Sequence, residues 1–100
     1  MKLLYVITGL GGGGAEKVVC NLADEMYSRG NSVTIVYLVG DVVVKPKNNE
    51  INIVGLGLNS IGQLFNSIKK YNKIIRQFEP DVIHAHMVHA NVFASLSRLF

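Results

Sequence analysis

The chain alternates short apolar runs with longer segments whose apolar residues recur every three or four positions. Leu3 to Thr8 is a run of β-formers bounded by glycine, the pattern of a strand buried on both faces of a parallel sheet. Gly9 to Gly14 reads as a loop. Ala15 to Arg29 has helical spacing: Val18 or Val19, Leu22 and Met26 fall on one side, and Glu16, Lys17, Asp24 and Glu25 on the other. Gly30-Asn31 closes that helix, because glycine adopts the left-handed geometry of a helix end without strain. Ser32 to Val39 is a second buried strand, carried by Val33, Ile35, Val36, Tyr37 and Leu38.

The stretch from Gly40 to Glu50 is less regular. Asp41 to Val44 fits either a short strand or part of a loop, and Lys45 to Asn49, with its proline and two asparagines, is a turn. Ile51 to Leu56 is a third strand. A helix over Ile61 to Phe78 follows, with Leu64, Phe65, Ile68, Tyr71, Ile75 and Phe78 spaced by threes and fours. Glu79-Pro80 stops it, since the residue before proline avoids helical geometry. Asp81 to Ala85 is a fourth strand, and a further helix runs from about Asn91 to Phe100. Strands that alternate with helices in this way predict an α/β fold: a Rossmann-like, mostly parallel sheet with helices on both faces and right-handed crossovers. The last helix ends on Leu99-Phe100 without glycine, proline or a polar cap. That predicts an element cut in the middle and a chain that is the N-terminal part of something larger.

Composition narrows the class. With 100 residues the chain is one domain, 49% hydrophobic and 17% charged, which excludes disorder. The single cysteine, Cys20, cannot form an internal disulfide; it reads as a small packing residue, and the expected compartment is reducing, the cytoplasm. The apolar start stops at Thr8, too short for a signal peptide, and no run approaches a membrane span.

The net charge is +3. Its placement matters more than its size. Charges cancel over residues 1–60, and the surplus lies in Lys69, Lys70, Lys73 and Arg76 of the second helix, which carries no acid between Ile61 and Phe78. Lys69, Lys73 and Arg76 share a face, with Lys70 beside it. So local a patch argues against nucleic-acid binding, which needs a broader basic footprint. It fits a solvated outer face, or weak attraction to anionic lipid headgroups on the inner membrane face.

Two clusters carry candidate chemistry. In Gly9-Leu10-Gly11-Gly12-Gly13-Gly14 five of six residues are glycine, more than a simple turn requires. Glycines between a strand and a helix let the backbone approach a ligand, and the helix start offers free amide donors and partial positive charge. Phosphate, carboxylate or a sugar hydroxyl fits there. A dinucleotide fingerprint is formally present at Gly9, Gly11 and Gly14, but it needs an acid closing the second strand, where Tyr37-Leu38-Val39-Gly40 stand instead. A phosphate-binding P-loop fails for want of Gly-Lys-Ser/Thr. The second cluster is Asp81-Val82-Ile83-His84-Ala85-His86-Met87-Val88-His89, which holds all three histidines. His84 and His86 share a strand face at the carboxyl end, where ligands bind in open parallel sheets. A metal site lacks a nearby Asp, Glu or Cys to complete it. A donor or acid/base role suits His86, while His84 and His89 fit the plainer alternative of one structural histidine bonded to backbone and the rest solvated.

These residues resemble the N-terminal domain of the family 4 glycosyltransferases of GT-B fold. Gly13-Gly14-Ala15-Glu16-Lys17-Val18-Val19 is similar to that group's glycine loop and first helix. Pro80 to Met87 is similar to its strand-end histidine motif. His89-Ala90-Asn91 and Gly40 to Lys47 resemble the bacterial polysaccharide members, as in lipopolysaccharide synthesis. The resemblance spans all 100 residues. It implies transfer of a sugar, with retention at the anomeric carbon, from a nucleotide-sugar donor to a glycan or lipid-linked acceptor. It also implies that this N-terminal domain holds the acceptor and that a C-terminal domain, absent from this sequence, holds the nucleotide. Gly11, Gly12, Gly13 and Gly14 would then approach the donor diphosphate or sugar, and His86 the reacting sugar. Glu16 and His89 would lie on the acceptor side. No metal or other cofactor is implied. The competing readings are a dinucleotide-binding domain and a stand-alone interaction domain.

Overall fold

A computed structural model of the chain describes residues 1–7, 14–40, 42, 44–58 and 61–85. Four strands, β1 (Lys2–Ile7), β2 (Ser32–Tyr37), β3 (Asn52–Gly55) and β4 (Val82–Ala85), form one sheet in the order β3-β2-β1-β4. Every pairing is parallel: Lys2 stands opposite Ser32, Leu3 opposite Val82, and Thr34 opposite Asn52. Helix α1 (Gly14–Ser28) joins β1 to β2, and α2 (Leu64–Phe78), entered through a short 3-10 turn at Ile61–Gln63, precedes β4. The expected α/β, Rossmann-like sheet is what forms.

Two apolar layers sandwich the sheet. Strand side chains alternate, so β1 sends Leu4 and Val6 to one face and Tyr5 and Ile7 to the other. Leu4 and Val6 pack with Val36, Leu38, Leu56, Ile68 and Tyr71 under α2. Tyr5 and Ile7 pack with Val19, Cys20, Ala23, Val33, Ile35 and Ile51 under α1. The crossover from β1 to β2 and that from β3 to β4 run in opposite directions along the sheet. Crossovers of one hand therefore need helices on opposite faces, and the helices lie there.

The helix faces decide what the spacing left open. Val19 is the inward member of its pair at 1% exposure, and Val18 stands outward at 56%. Phe65, expected in the buried stripe of α2, is 66% exposed. One residue past Leu64 is a rotation of about 100°, which carries Phe65 off the face shared by Leu64, Ile68, Tyr71 and Ile75. Helix ends follow the expected chemistry. Gly30 takes φ +92° after α1, with its N–H donating to the Tyr27 carbonyl at 3.0 Å. Glu79 takes a left-handed φ of 51°, and its N–H donates to the Ile75 carbonyl at 2.9 Å.

Val42, Val44 and residues 45–49 form no strand, so the loop reading holds for the described part of 41–44. α1 fastens this segment. The Asp24 carboxylate accepts the N–H groups of Lys47 (2.9 Å) and Asn48 (3.0 Å) and the Asn48 side-chain amide (2.8 Å). The Tyr27 hydroxyl donates to the Glu50 carboxylate. Val44 leans on the α1 core, and Pro46 is buried. The helix expected over 91–100 lies outside the described residues.

Candidate functional site

Parallel strands deliver all their carboxyl ends to one edge of the sheet, and this register puts Ile7, Tyr37, Gly55 and Ala85 there. Residues 8–13 leave that edge from Ile7, and α1 starts back from it at Gly14. The segment from His86 leaves the same edge from Ala85. Gly11, Gly12, Gly13, His86 and His89 themselves lie outside the described residues. What the fold brings together is therefore the two chain exits that bear the glycine loop and the histidine motif, one strand apart.

Gly14 is exposed, and a Cβ placed on it would meet no described residue within 4 Å. Packing among the described residues makes no demand for glycine there. Glu16 is half-buried in the first turn of α1, where a carboxylate complements the helix start. Burial pushes the Cys20 thiol up from its ordinary range, and the Asp24 and Glu16 carboxylates add to the shift. Cys20, 3% exposed, is thus a protonated packing group. His84 lies on the α1 face opposite Tyr5 in the register, with ring centroids 5.9 Å apart and planes 39° from parallel. Burial raises the Tyr5 phenol. The ring contact sets His84, an exposed residue of β4, beside β1.

The basic helix divides. Lys69, Lys73 and Arg76 are exposed on α2. Lys70 instead turns to the sheet edge, where its ammonium donates to the Gly55 carbonyl at 2.5 Å. Beside it the Tyr37 ring lies across Gly55 so closely that a Cβ on Gly55 would stand 2.5 Å from Cζ. Lys70, which the sequence places in the basic patch, and Tyr37, read there only as a strand residue, are therefore at the same edge as the two chain exits. The one local hint is Gly55 itself, since a glycine inside a strand marks close approach of another group.

Among the described residues, no acid closes β2: Tyr37, Leu38, Val39 and Gly40 stand there. The ribose grip of a dinucleotide site is missing from that position. Residues 12–100 match the family model described as Glycosyltransferase Family 4. The chain belongs to glycosyltransferase family 4. No individual curated protein matches it. Within this family 4 domain the match begins in the glycine loop and takes in α1, both crossovers and the histidine segment. No described helix of the family 4 domain is long and apolar enough to cross a membrane.

Proposed function

We propose that this chain is the acceptor-side, N-terminal domain of a retaining glycosyltransferase, which moves a sugar from a nucleotide-sugar donor to a glycan or lipid-linked acceptor in surface polysaccharide synthesis. The observation that carries the reading is the shared edge: the glycine loop and the histidine motif of a family 4 chain leave it from adjacent strands, β1 and β4. A second domain, beyond this sequence, would bring the nucleotide to that edge.

In this reading each group has a role its chemistry permits. The amides of Gly11, Gly12, Gly13 and Gly14 and the start of α1 face the donor diphosphate, where backbone donors and the helix field favour negative charge. They supply the positive field that a bound metal supplies elsewhere, so the reading calls for no cofactor. His86, next after Ala85, reaches the reacting sugar. Imidazole can donate a hydrogen bond or move a proton there. Glu16 and His89 border the acceptor.

The exposed Lys69, Lys73 and Arg76, on a helix with no acid, support a peripheral position on the anionic inner membrane face. A lipid-linked acceptor would be met there. The deciding experiment is His86→Ala in the full-length protein. Turnover should fall by an amount equivalent to about 3 kcal/mol in the barrier, with the melting temperature unchanged. Full activity, or unfolding, returns His86 to a structural role.

A further inference from the structure

The two flanks of α2 have different neighbours. The Lys70 ammonium reaches the Gly55 carbonyl of β3, and Ile74, Gln77 and Phe78 border Asn52, Ile53 and Val54 of the same strand region. The opposite flank carries Phe65, Ile68 and Asn72, at steps of three and four along the helix. In the order β3-β2-β1-β4 that flank looks toward β4. With Asn66, Lys69 and Arg76 it lines a groove of about 470 Å³. Ile68 is buried at its floor, and Phe65 stands 66% exposed in its wall. One exposed aromatic is ordinary by itself. This one lies where the chain returns: α2 starts from the carboxyl edge, and residues from His86 onward leave the same edge at Ala85.

Crossover geometry says which face that returning chain takes. β1 is paired on both sides, so the open edges among the described strands belong to β3 and β4. A connection from β4 outward past its open edge continues the direction of the β3-to-β4 crossover. A right-handed connection of that kind lays its helix on the α2 face. Residues 91–100 carry Val92, Phe93, Leu96, Leu99 and Phe100 at helical spacing and hold no acid. We infer that residues 91–100 pack as a helix along the Phe65 flank of α2, with their apolar stripe against Phe65 and Ile68. The dimensions agree. Ten helical residues are about 15 Å long, and Phe65 to Arg76 spans about 16 Å. The six steps from Ala85 to Asn91 reach up to about 20 Å, and packed helices lie about 8–10 Å apart. Lys69 and Arg76 sit at the rim, where their stems cover the contact and their charges stay in water.

The packing does not depend on the transferase reading, but it bears on it. Ala85 anchors one end of the histidine motif, and the docked helix would anchor the other, holding His86 and His89 over the carboxyl edge. The test is spin labelling of the full-length protein. A nitroxide is placed on Lys69→Cys, at the groove rim, or on Asn21→Cys, exposed on α1 across the sheet; Cys20 is buried and does not compete for the label. The amide signals of Val92, Leu96 and Phe100 should broaden with the label at 69 and stay sharp with the label at 21. Broadening from 21 alone would put the segment on the α1 face, and broadening from neither would leave the flank to an outside partner; either result overturns the inference. Phe65→Ala gives an independent sign. Alanine is the better helix former, so at a solvated position it keeps or raises the urea midpoint. Under a docked helix it removes packing and lowers the midpoint. Leu96→Ala should then lower it less in the Phe65→Ala background than in the native chain. A midpoint that holds or rises in Phe65→Ala would overturn the inference as well.

Discussion

Lys2 and Asp81 hold each other at both ends of one contact: the Asp81 carboxylate accepts the Lys2 N–H at 2.7 Å, and the Asp81 N–H donates to the Lys2 carbonyl at 2.7 Å. The pair sits one step before the β1–β4 ladder begins at Leu3 and Val82. A one-residue slip of a parallel strand would turn every side chain to the wrong face. Asp81 is thus placed to set the register that keeps Leu4 and Val6 on the α2 side. Replacing it with alanine should cost about 1 kcal/mol, the usual scale for one such bond. The unfolding midpoint in urea would fall at constant slope, and exchange of the Lys2 amide would quicken. An unchanged midpoint would show that the ladder needs no such start.

Asp24 gives the chain an acid-sensitive clasp. Burial alone would raise its carboxyl. The N–H groups of Lys47 and Asn48, the Asn48 amide and the Lys47 charge outweigh burial and hold it below its ordinary value of 3.8. In acid the folded state therefore binds this proton later than the unfolded state. The stabilisation is present above the ordinary value and is lost as pH falls through the lower folded value. Denaturation midpoints measured from about pH 5 to about pH 2 should fall more steeply for the native chain than for Asp24→Ala. Parallel curves would remove Asp24 from the acid response.

Gly14 separates folding from function. Alanine there meets no described residue within 4 Å and restricts the unfolded chain, so stability should be unchanged or rise by up to about 1 kcal/mol. If the loop holds a diphosphate, the added methyl should still lower turnover of the full-length enzyme. A variant that is equally active would make residue 14 an ordinary helix start.

For the membrane reading, charge should matter residue by residue. Replacing Lys69, Lys73 and Arg76 together by Gln should weaken binding to anionic vesicles by about 1 kcal/mol per charge. Lys70→Gln should weaken it less, because that ammonium is engaged at Gly55. Co-sedimentation at low and high salt checks both. Equal binding to neutral vesicles, or no loss in the triple variant, would leave α2 a solvated face.

The element order was legible because buried parallel strands and amphipathic helices have periods that do not resemble each other. Val33 to Leu38 and Leu3 to Ile7 admit no helix face, and Leu64, Ile68, Tyr71 and Ile75 admit no strand face. Phe65 was misjudged because spacing by threes and fours allows a neighbouring row, and only packing selects between rows. The site was half legible. Glycine and histidine announce their chemistry wherever they stand. Lys70 and Tyr37 do not, since what matters is the partner each meets across the fold. Asp24 was equally hidden: it looked like one polar residue on an outer helix face, and its partners lie 23 and 24 positions away.

β1 is the earliest described strand and an inner strand of the β3-β2-β1-β4 sheet, and its far neighbour is distant: Lys2 and Asp81 are 79 residues apart. During synthesis at about 5–20 residues per second, β1 waits several seconds for β4. Until then it pairs on one side only, with Leu4, Tyr5, Val6 and Ile7, all buried in the end, beside an open edge. An apolar strand with an unpaired edge is a template for other chains. The nascent protein therefore has a vulnerable interval in which none of its own contacts yet covers that edge of β1.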